Sequence, residues 1–297
     1  MAIREITPLQ VAQLVPRLVD HMTRIRLDSS ALRPSAEQSF KASQLAKFRV
    51  GAPCNSRIFV NDSLDQWMWI DDTLVDVYVH EPVEPWVDAL AAIMGGKEIL
   101  VHRFSHGDSF EFFDALSLRE ITHLLTAHVR VLGGLQEEGQ EPVARTDVFL
   151  RSMSAGELGE FAGAICESWG RHRAVVDLKQ SADKLRKDAE QNMRRTLYDG
   201  VSTPGHEVLA ICTETQVVGG VWAEIDGNDA KLWRLYIYRP YRGHAYSRGA
   251  LIALGERLRS EGAKRVYTEL LPTQRHIREV FESAGFTLTE KVVGASV

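Results

Sequence analysis

Apolar positions along the chain follow two periods, and both halves begin with the same succession. Residues 3–7 read as a short strand. Behind them Leu9, Val11, Leu14, Val15 and Leu18 share one face of a helix over residues 9–22, with Pro16 predicting a kink or restart. Residues 148–153 again read as a strand. Ser154 then stands as an N-cap with Glu157 three residues on, and Leu158, Phe161, Ile165 and Trp169 recur at helical spacing. A long helix is expected over residues 178–197, where Leu178, Ala182, Leu185, Ala189, Met193 and Leu197 form one stripe among basic neighbours. Residues 63–78, carrying Trp67, Trp69 and Tyr78, read as buried strand.

The second half continues with strands over residues 208–212 and 217–225 and a hairpin signal at Asp226-Gly227-Asn228-Asp229. A third strand over residues 232–238 is ended by Pro240. A helix over residues 248–261 places Leu251, Leu254 and Leu258 on one face. It is followed by a strand (265–271), a helix (274–284) closed by Gly285, and a last strand (286–292). Residues 74–82 (LVDVYVHEP) echo residues 232–240 (LWRLYIYRP), and Lys97 and Lys264 each follow a glycine before another strand. The second copy is longer between strand and helix by a stretch corresponding to residues 242–250. The pattern reads as an internal duplication or, alternatively, as an unrelated α/β domain placed in front. The polar, glycine-containing stretch after residue 132 is a linker signal. The expected organisation is therefore domain 1–132, linker 133–147 and domain 148–297. A length of 297 residues suits two domains at roughly 100–200 residues each.

Composition is that of a folded protein, with 44% hydrophobic and 25% charged residues, and the net charge of −5 gives no pointer to nucleic acid. Three scattered cysteines, Cys54, Cys166 and Cys212, argue against a disulfide framework or zinc site. His102, His106 and Asp108 are close in sequence without a converging ligand pattern, so no metal is expected. The first ten residues carry charge, and no uncharged run reaches the roughly 18–20 residues that span a bilayer. A soluble cytoplasmic protein with no membrane partner is expected.

The chemistry concentrates after Pro240. A strand that stops and turns into a helix leaves backbone N–H groups pointing outward, and with the helix dipole these bind anions, a pyrophosphate included. The sequence there is Arg239-Pro-Tyr-Arg242-Gly243-His244-Ala245-Tyr246-Ser247. With Gly262-Ala-Lys-Arg-Val-Tyr and Phe281-Glu-Ser-Ala-Gly285-Phe286 downstream, and Val217-Val-Gly-Gly220 upstream, it resembles the acyl-CoA loop and flanking motifs of the GCN5-related N-acetyltransferase (GNAT) family. The resemblance covers about residues 148–292. With the echo it gives an α/β (α+β) protein of two mixed-sheet domains: the resemblance implies the acyl-CoA N-acyltransferase fold for the C-terminal one, and the duplication reading makes the N-terminal one a degenerate tandem copy without a phosphate loop.

The resemblance further implies an N-acetyltransferase with acetyl-CoA as donor, a primary amine attacking the thioester directly, and a possible homodimer. Cofactor-binding positions carried over are Tyr236, Ile237, Tyr238, Arg242, Gly243, His244, Ala245, Tyr246, Ser247, Gln274 and Phe281. Ala245 and Ser247 stand where small residues, the first usually glycine, are expected, and Phe281 stands where relatives carry a proton-donating tyrosine. Candidate catalytic residues are Glu224 first, then Glu269, as bases on strands, and Tyr236, whose alternative is cross-strand packing. His172 with Arg171 and Arg173 forms a basic cluster near the expected acceptor pocket, or a solvated turn. Cys166 reads as a small core residue. A non-catalytic acyl-CoA sensor or scaffold is the alternative function.

Overall fold

The computed structural model describes residues 2–32, 34–47, 56–79, 82–104, 112, 115–116, 118–132, 147–177 and 180–296. The linker call at 133–147 falls, except for its last residue, outside these, as do His106 and Asp108. The chain divides into two compact units, Met1–His123 with Leu288–Val297, and Leu124–Thr287.

The first unit opens with strand β1 (Ile3–Glu5), helix α1 (Pro8–Asp28) and helix α2 (Glu37–Ala46). Strands β2 (Ser56–Asn61), β3 (Trp67–Asp71) and β4 (Leu74–Tyr78) follow, then helix α3 (Glu84–Met94) and strand β5 (Glu98–Phe104). Strands β1 to β4 pair antiparallel in sequence order, and β4 pairs parallel with β5. The other edge of β5 takes β12 (Thr287–Ser296), from the far end of the chain, antiparallel. Helix α1 continues through Pro16 without restarting. Its Val15, Val19 and Met22 pack on Ile58, Trp67 and Trp69, the tryptophans expected to be buried. The opposite face packs Trp86 and Leu90 of α3 on Val75, Ile99 and Val101. Asp76 accepts two hydrogen bonds from Arg26, at 2.8 and 2.9 Å, and His102 pairs with Glu290.

Strand β6 (Arg119–His128) enters the second unit from Leu124 on and leads into the short helix α4 (Val129–Leu132). From β7 (Phe149–Ser152) the earlier succession returns: helices α5 (Ala155–Val176) and α6 (Ala182–Thr196), strands β8 (His206–Cys212), β9 (Val217–Asp226) and β10 (Asp229–Ile237), helix α7 (Tyr246–Ser260), and strand β11 (Arg265–Leu270). Helix α8 (Arg275–Ser283) follows. Strands β7 to β10 pair antiparallel in sequence order, and β10 pairs parallel with β11. Both units thus repeat one order of elements with the same pairing senses.

Helix α5 begins where the capping pattern requires. The Ser154 hydroxyl accepts from the Glu157 N–H, and the Glu157 carboxylate accepts from the Ser154 N–H at 2.8 Å. Helix α6 starts at Ala182, later than the stripe from Leu178 suggests, because the Ser181 hydroxyl accepts the Lys184 N–H and caps the helix there. Leu185, Met193 and Leu197 are buried as expected. Helices α5 and α6 cover one face of the sheet through Phe161, Ile165 and Met193, packed with Val208, Ala210 and Trp222. Helix α7 buries Leu251, Leu254 and Leu258 completely.

Candidate active site

Strand β10 pairs with β11 only over Asp229–Lys231 and Arg265–Tyr267. The Thr268 hydroxyl then donates to the Leu232 carbonyl at 2.9 Å, and beyond that point the strands diverge. On its other edge β10 stays paired with β9 out to Ile237 opposite Gly219, with a bulge between Leu232 and Arg234. This close pairing needs glycine. A Cβ on Gly219 would lie 2.2 Å from the Tyr236 carbonyl oxygen, and one on Gly220 would lie 2.3 Å from Met153 Cε. The diverging edge of β10 is therefore left open for an extended partner.

A cavity of about 540 Å³ opens from that edge toward the start of α7. Tyr236 and Ile237 line it from β10, residues 242–247 from the loop, and Gln274 from the turn before α8. Ala245, the cap of α7, is left-handed at φ 58°, and Gly243 has φ 82°. That conformation turns the loop so that the N–H groups of Gly243, His244 and Ala245 make no hydrogen bond among the described residues. Free N–H groups at a helix start are an anion site. Nothing lies within 4 Å of where a Gly243 Cβ would be, so there is room for a phosphate against the backbone. Arg242 folds back, its Nε donating to the Ile237 carbonyl at 3.0 Å and its guanidinium lying 5.1 Å from the Tyr236 ring centroid.

Two carried-over positions do not line this cavity. The Tyr238 N–H donates to the Val218 carbonyl at 3.0 Å, on the β9 side. Phe281 is buried, packed edge-on against Phe286 at 4.8 Å between ring centroids. The sequence reading missed Ser168, Thr273 and Val280 as lining residues. His172 also lines the cavity, and its Nδ1 faces Thr273 Oγ1 at 3.2 Å. Burial first, then the charges of Arg171 and Arg242, push its pKa below the ordinary histidine value, so the ring is neutral at pH 7. The expected basic cluster accordingly separates. Arg171 points outward toward Glu167, while Arg173 lines a different cavity.

That second cavity, about 350 Å³, lies where α5 and α6 cover β9 and β10. Trp222 and Trp233 stack in it, with ring centroids 4.9 Å apart and planes 11° apart. Glu269 lines it and accepts from Lys231 at 3.0 Å. Glu224, the first candidate base, does not. Its carboxylate accepts the Trp233 indole N–H at 2.8 Å, and its strand partner is Lys231, five β10 residues before Tyr236 and hence roughly 16 Å along the strand. His206 accepts the Trp222 indole N–H at 3.1 Å, and Cys166 is buried in the core, where burial raises its thiol pKa. Among the described residues no cluster could hold a metal ion, and no helix is long and apolar enough to cross a membrane.

A strand pair that opens beside a helix-capping anion loop defines the acyl-CoA N-acyltransferase fold. Residues 173–286 match the sequence model of the acetyltransferase (GNAT) family. The uncharacterized N-acetyltransferase YycN of Bacillus subtilis is 27% identical over 118 residues, which is 37% of this chain and 76% of that protein. The crystal structure of a GCN5-related N-acetyltransferase from Sphaerobacter thermophilus aligns over 99% of this chain and 95% of its own, with TM-score 0.52 and 11% identity. PaiA N-acetyltransferase of Thermoplasma acidophilum, solved in complex with coenzyme A, covers 50% of this chain and 99% of its own, with TM-score 0.41 and 15% identity. Residues 173–286 thus carry an acetyltransferase domain of the GNAT type, a family whose acyl donor is acetyl-CoA.

Proposed function

We propose that this domain passes the acetyl group directly to a primary amine of a separate acceptor, with the donor in the larger cavity and the acceptor in the smaller one. The observation that carries this reading is the divergence of β10 from β11 at Leu232, which leaves β10 open between the two cavities. Both cavities draw on β10, the smaller on Trp233 and Arg234 and the larger on Leu235, Tyr236 and Ile237. When bound, acetyl-CoA supplies an activated thioester. The phosphates fit the N–H groups of residues 243–245, and the extended arm fits the open edge of β10. Because the Tyr238 N–H points to β9, strand alternation turns the Ile237 N–H toward the open edge, where it can polarise the thioester carbonyl.

The amine must be uncharged to attack. Asp188 on α6 and Glu269 on β11 are the carboxylates that line the smaller cavity; Glu269, on the strand beside β10, holds Lys231 through Oε1, and its Oε2 can take the proton directly or through a water. As the C–N bond forms and the C–S bond breaks, the proton lost by nitrogen balances the departing thiolate, giving amide and free CoA. We place neutral His172 beside the leaving sulfur as a proton carrier, since Phe281 has no proton to give. We also read the N-terminal half as a degenerate copy, because it repeats the element order without the loop that follows β10. Calorimetric titration of acetyl-CoA tests the donor site. Gly243→Asp places a carboxylate beside the phosphates and is expected to weaken binding at least ~tenfold, as like charges repel. Unchanged affinity in a folded variant would put the phosphates elsewhere.

A further inference from the structure

The smaller cavity is lined by three cations, Arg173, Lys231 and Arg234, and two carboxylates, Asp188 and Glu269, and neither arginine has an ion-pair partner among the described residues. Arg234 sits on the bulge of β10, and a bulge re-aims the side chains that follow it. Its guanidinium lies over the Trp169 ring, 4.2 Å from the centroid, and Nη1 donates to the Trp233 carbonyl at 2.5 Å. No carboxylate among the described residues lies within 4.0 Å of it. Burial pushes its pKa down to about 10, against the opposing pull of Glu269 and Cys166. It therefore stays charged at pH 7 and bears a desolvation cost that a bound anion would offset. Stacking on Trp169 and the bond to the bulge carbonyl fix the plane of the fork, leaving further N–H donors for a ligand. Arg173, on the same helix as Trp169, lines the cavity too and has no ion-pair partner among the described residues. Lys231, by contrast, is already neutralised by Glu269.

Size and spacing narrow the ligand. A volume of about 350 Å³ corresponds to roughly a dozen waters at about 30 Å³ each, enough for a compact amine but not a folded segment. Arg234 and Tyr236 lie two residues apart on one strand, facing Trp222 and Gly220 respectively, so they project to the same side about 7 Å apart. An anion on Arg234 and an amine directed at a thioester near Tyr236 must then lie within a few bonds of each other. The stacked Trp222–Trp233 pair forms an apolar wall beside them. We infer that the acceptor is of the α-amino-acid class: a primary amine and a carboxylate on the same carbon, with an apolar or aromatic side chain, its carboxylate held by Arg234 and its side chain against the tryptophans. This inference rests on the acyl-transfer reading above and assigns the acceptor chemistry to that site.

The test follows CoA release by the full-length protein at saturating acetyl-CoA, comparing free apolar and aromatic amino acids with their amides and with the corresponding decarboxylated amines. L-Phenylalanine, phenylalaninamide and phenethylamine form one such set. At least one free amino acid is expected to exceed its amide and amine by ~tenfold or more in kcat/KM, the usual scale of a charge-assisted bidentate contact. Arg234→Gln is expected to abolish that preference, and Arg234→Lys to restore part of it, while acetyl-CoA affinity stays within about twofold. If amides or simple amines are turned over as well as the acids, or if folded Arg234→Gln keeps the preference, the inference is wrong and the transferase reading stands. If no amine accelerates CoA release, both fall. The wild-type comparison decides the matter even if the variants do not fold.

Discussion

Ala245 shows what a single residue contributes at the donor site. Its left-handed conformation disfavours any residue with a Cβ, at a cost of about 1–2 kcal/mol. Ala245→Gly should therefore stabilise the protein by about 1 kcal/mol, raising the melting midpoint of the second unit by roughly 2–4 °C in a calorimetric scan. A lower midpoint would mean that the loop conformation is not a source of strain. The two candidate bases separate at the same scale. Glu269→Gln should lower kcat with little change in acetyl-CoA affinity, whereas Glu224→Gln removes an acceptor from the Trp233 indole and should leave kcat within a few-fold. The reverse ranking in steady-state kinetics would return the role to Glu224. The turn from β10 into α7 could be read from sequence because residues 242–247 are contiguous, so one stretch of chain carries the whole of the proposed anion site. Alternation along a strand tells which face a carboxylate takes, but not how far it lies from the point where β10 leaves β11. For that reason sequence alone does not separate Glu224 from Glu269 as candidate bases. His172 and Thr273 meet from distant segments, and no local pattern reports such a meeting.

At the level of elements, caps and close approaches set the frame. Glu157 is held down to about 2, chiefly by the Arg151 side chain and then by the Ser154 N–H, against an ordinary value of 4.5. A carboxyl whose folded pKa lies below its unfolded value contributes stability above the unfolded pKa, and loses it as pH falls from about 4.5 toward 2. Glu157→Gln should thus be less stable than the parent near pH 6, by about 1 kcal/mol as for other lost caps, with the difference vanishing as pH approaches 2. Denaturant unfolding at several pH values measures this; a gap that widens in acid would contradict it. Gly220→Ala should destabilise the second unit by about 1–3 kcal/mol, because the added methyl meets Met153 and Phe161. Strands, helices and their order in the second half were legible because periodicity and turn signals agree there. The start of α6 was not, since an apolar stripe does not mark where a helix begins, and the Ser181 capping bond fixes that point. Pro16 carried the same ambiguity, resolved when tertiary packing of Val15, Val19 and Met22 kept α1 continuous.

Across the whole molecule, the repeated succession of elements was visible as the echo of residues 74–82 in residues 232–240. The pairing of β12 with β5 was not visible, because a strand's own pattern does not name its neighbour. The loop at residues 242–247, the open edge of β10 and both cavities all lie within residues 124–287, so the proposed chemistry falls in one half of the chain. On the proposed reading this half transfers an acetyl group to an amine rather than merely holding acyl-CoA. The most direct test is continuous measurement of free thiol with the full-length protein and saturating acetyl-CoA, with and without a panel of primary amines. At least one amine is expected to raise CoA release well above the amine-free rate and to appear as its N-acetyl product by mass spectrometry. Acetyl-CoA that binds at one site, with no amine in the panel accelerating its cleavage, would contradict it and leave a sensor.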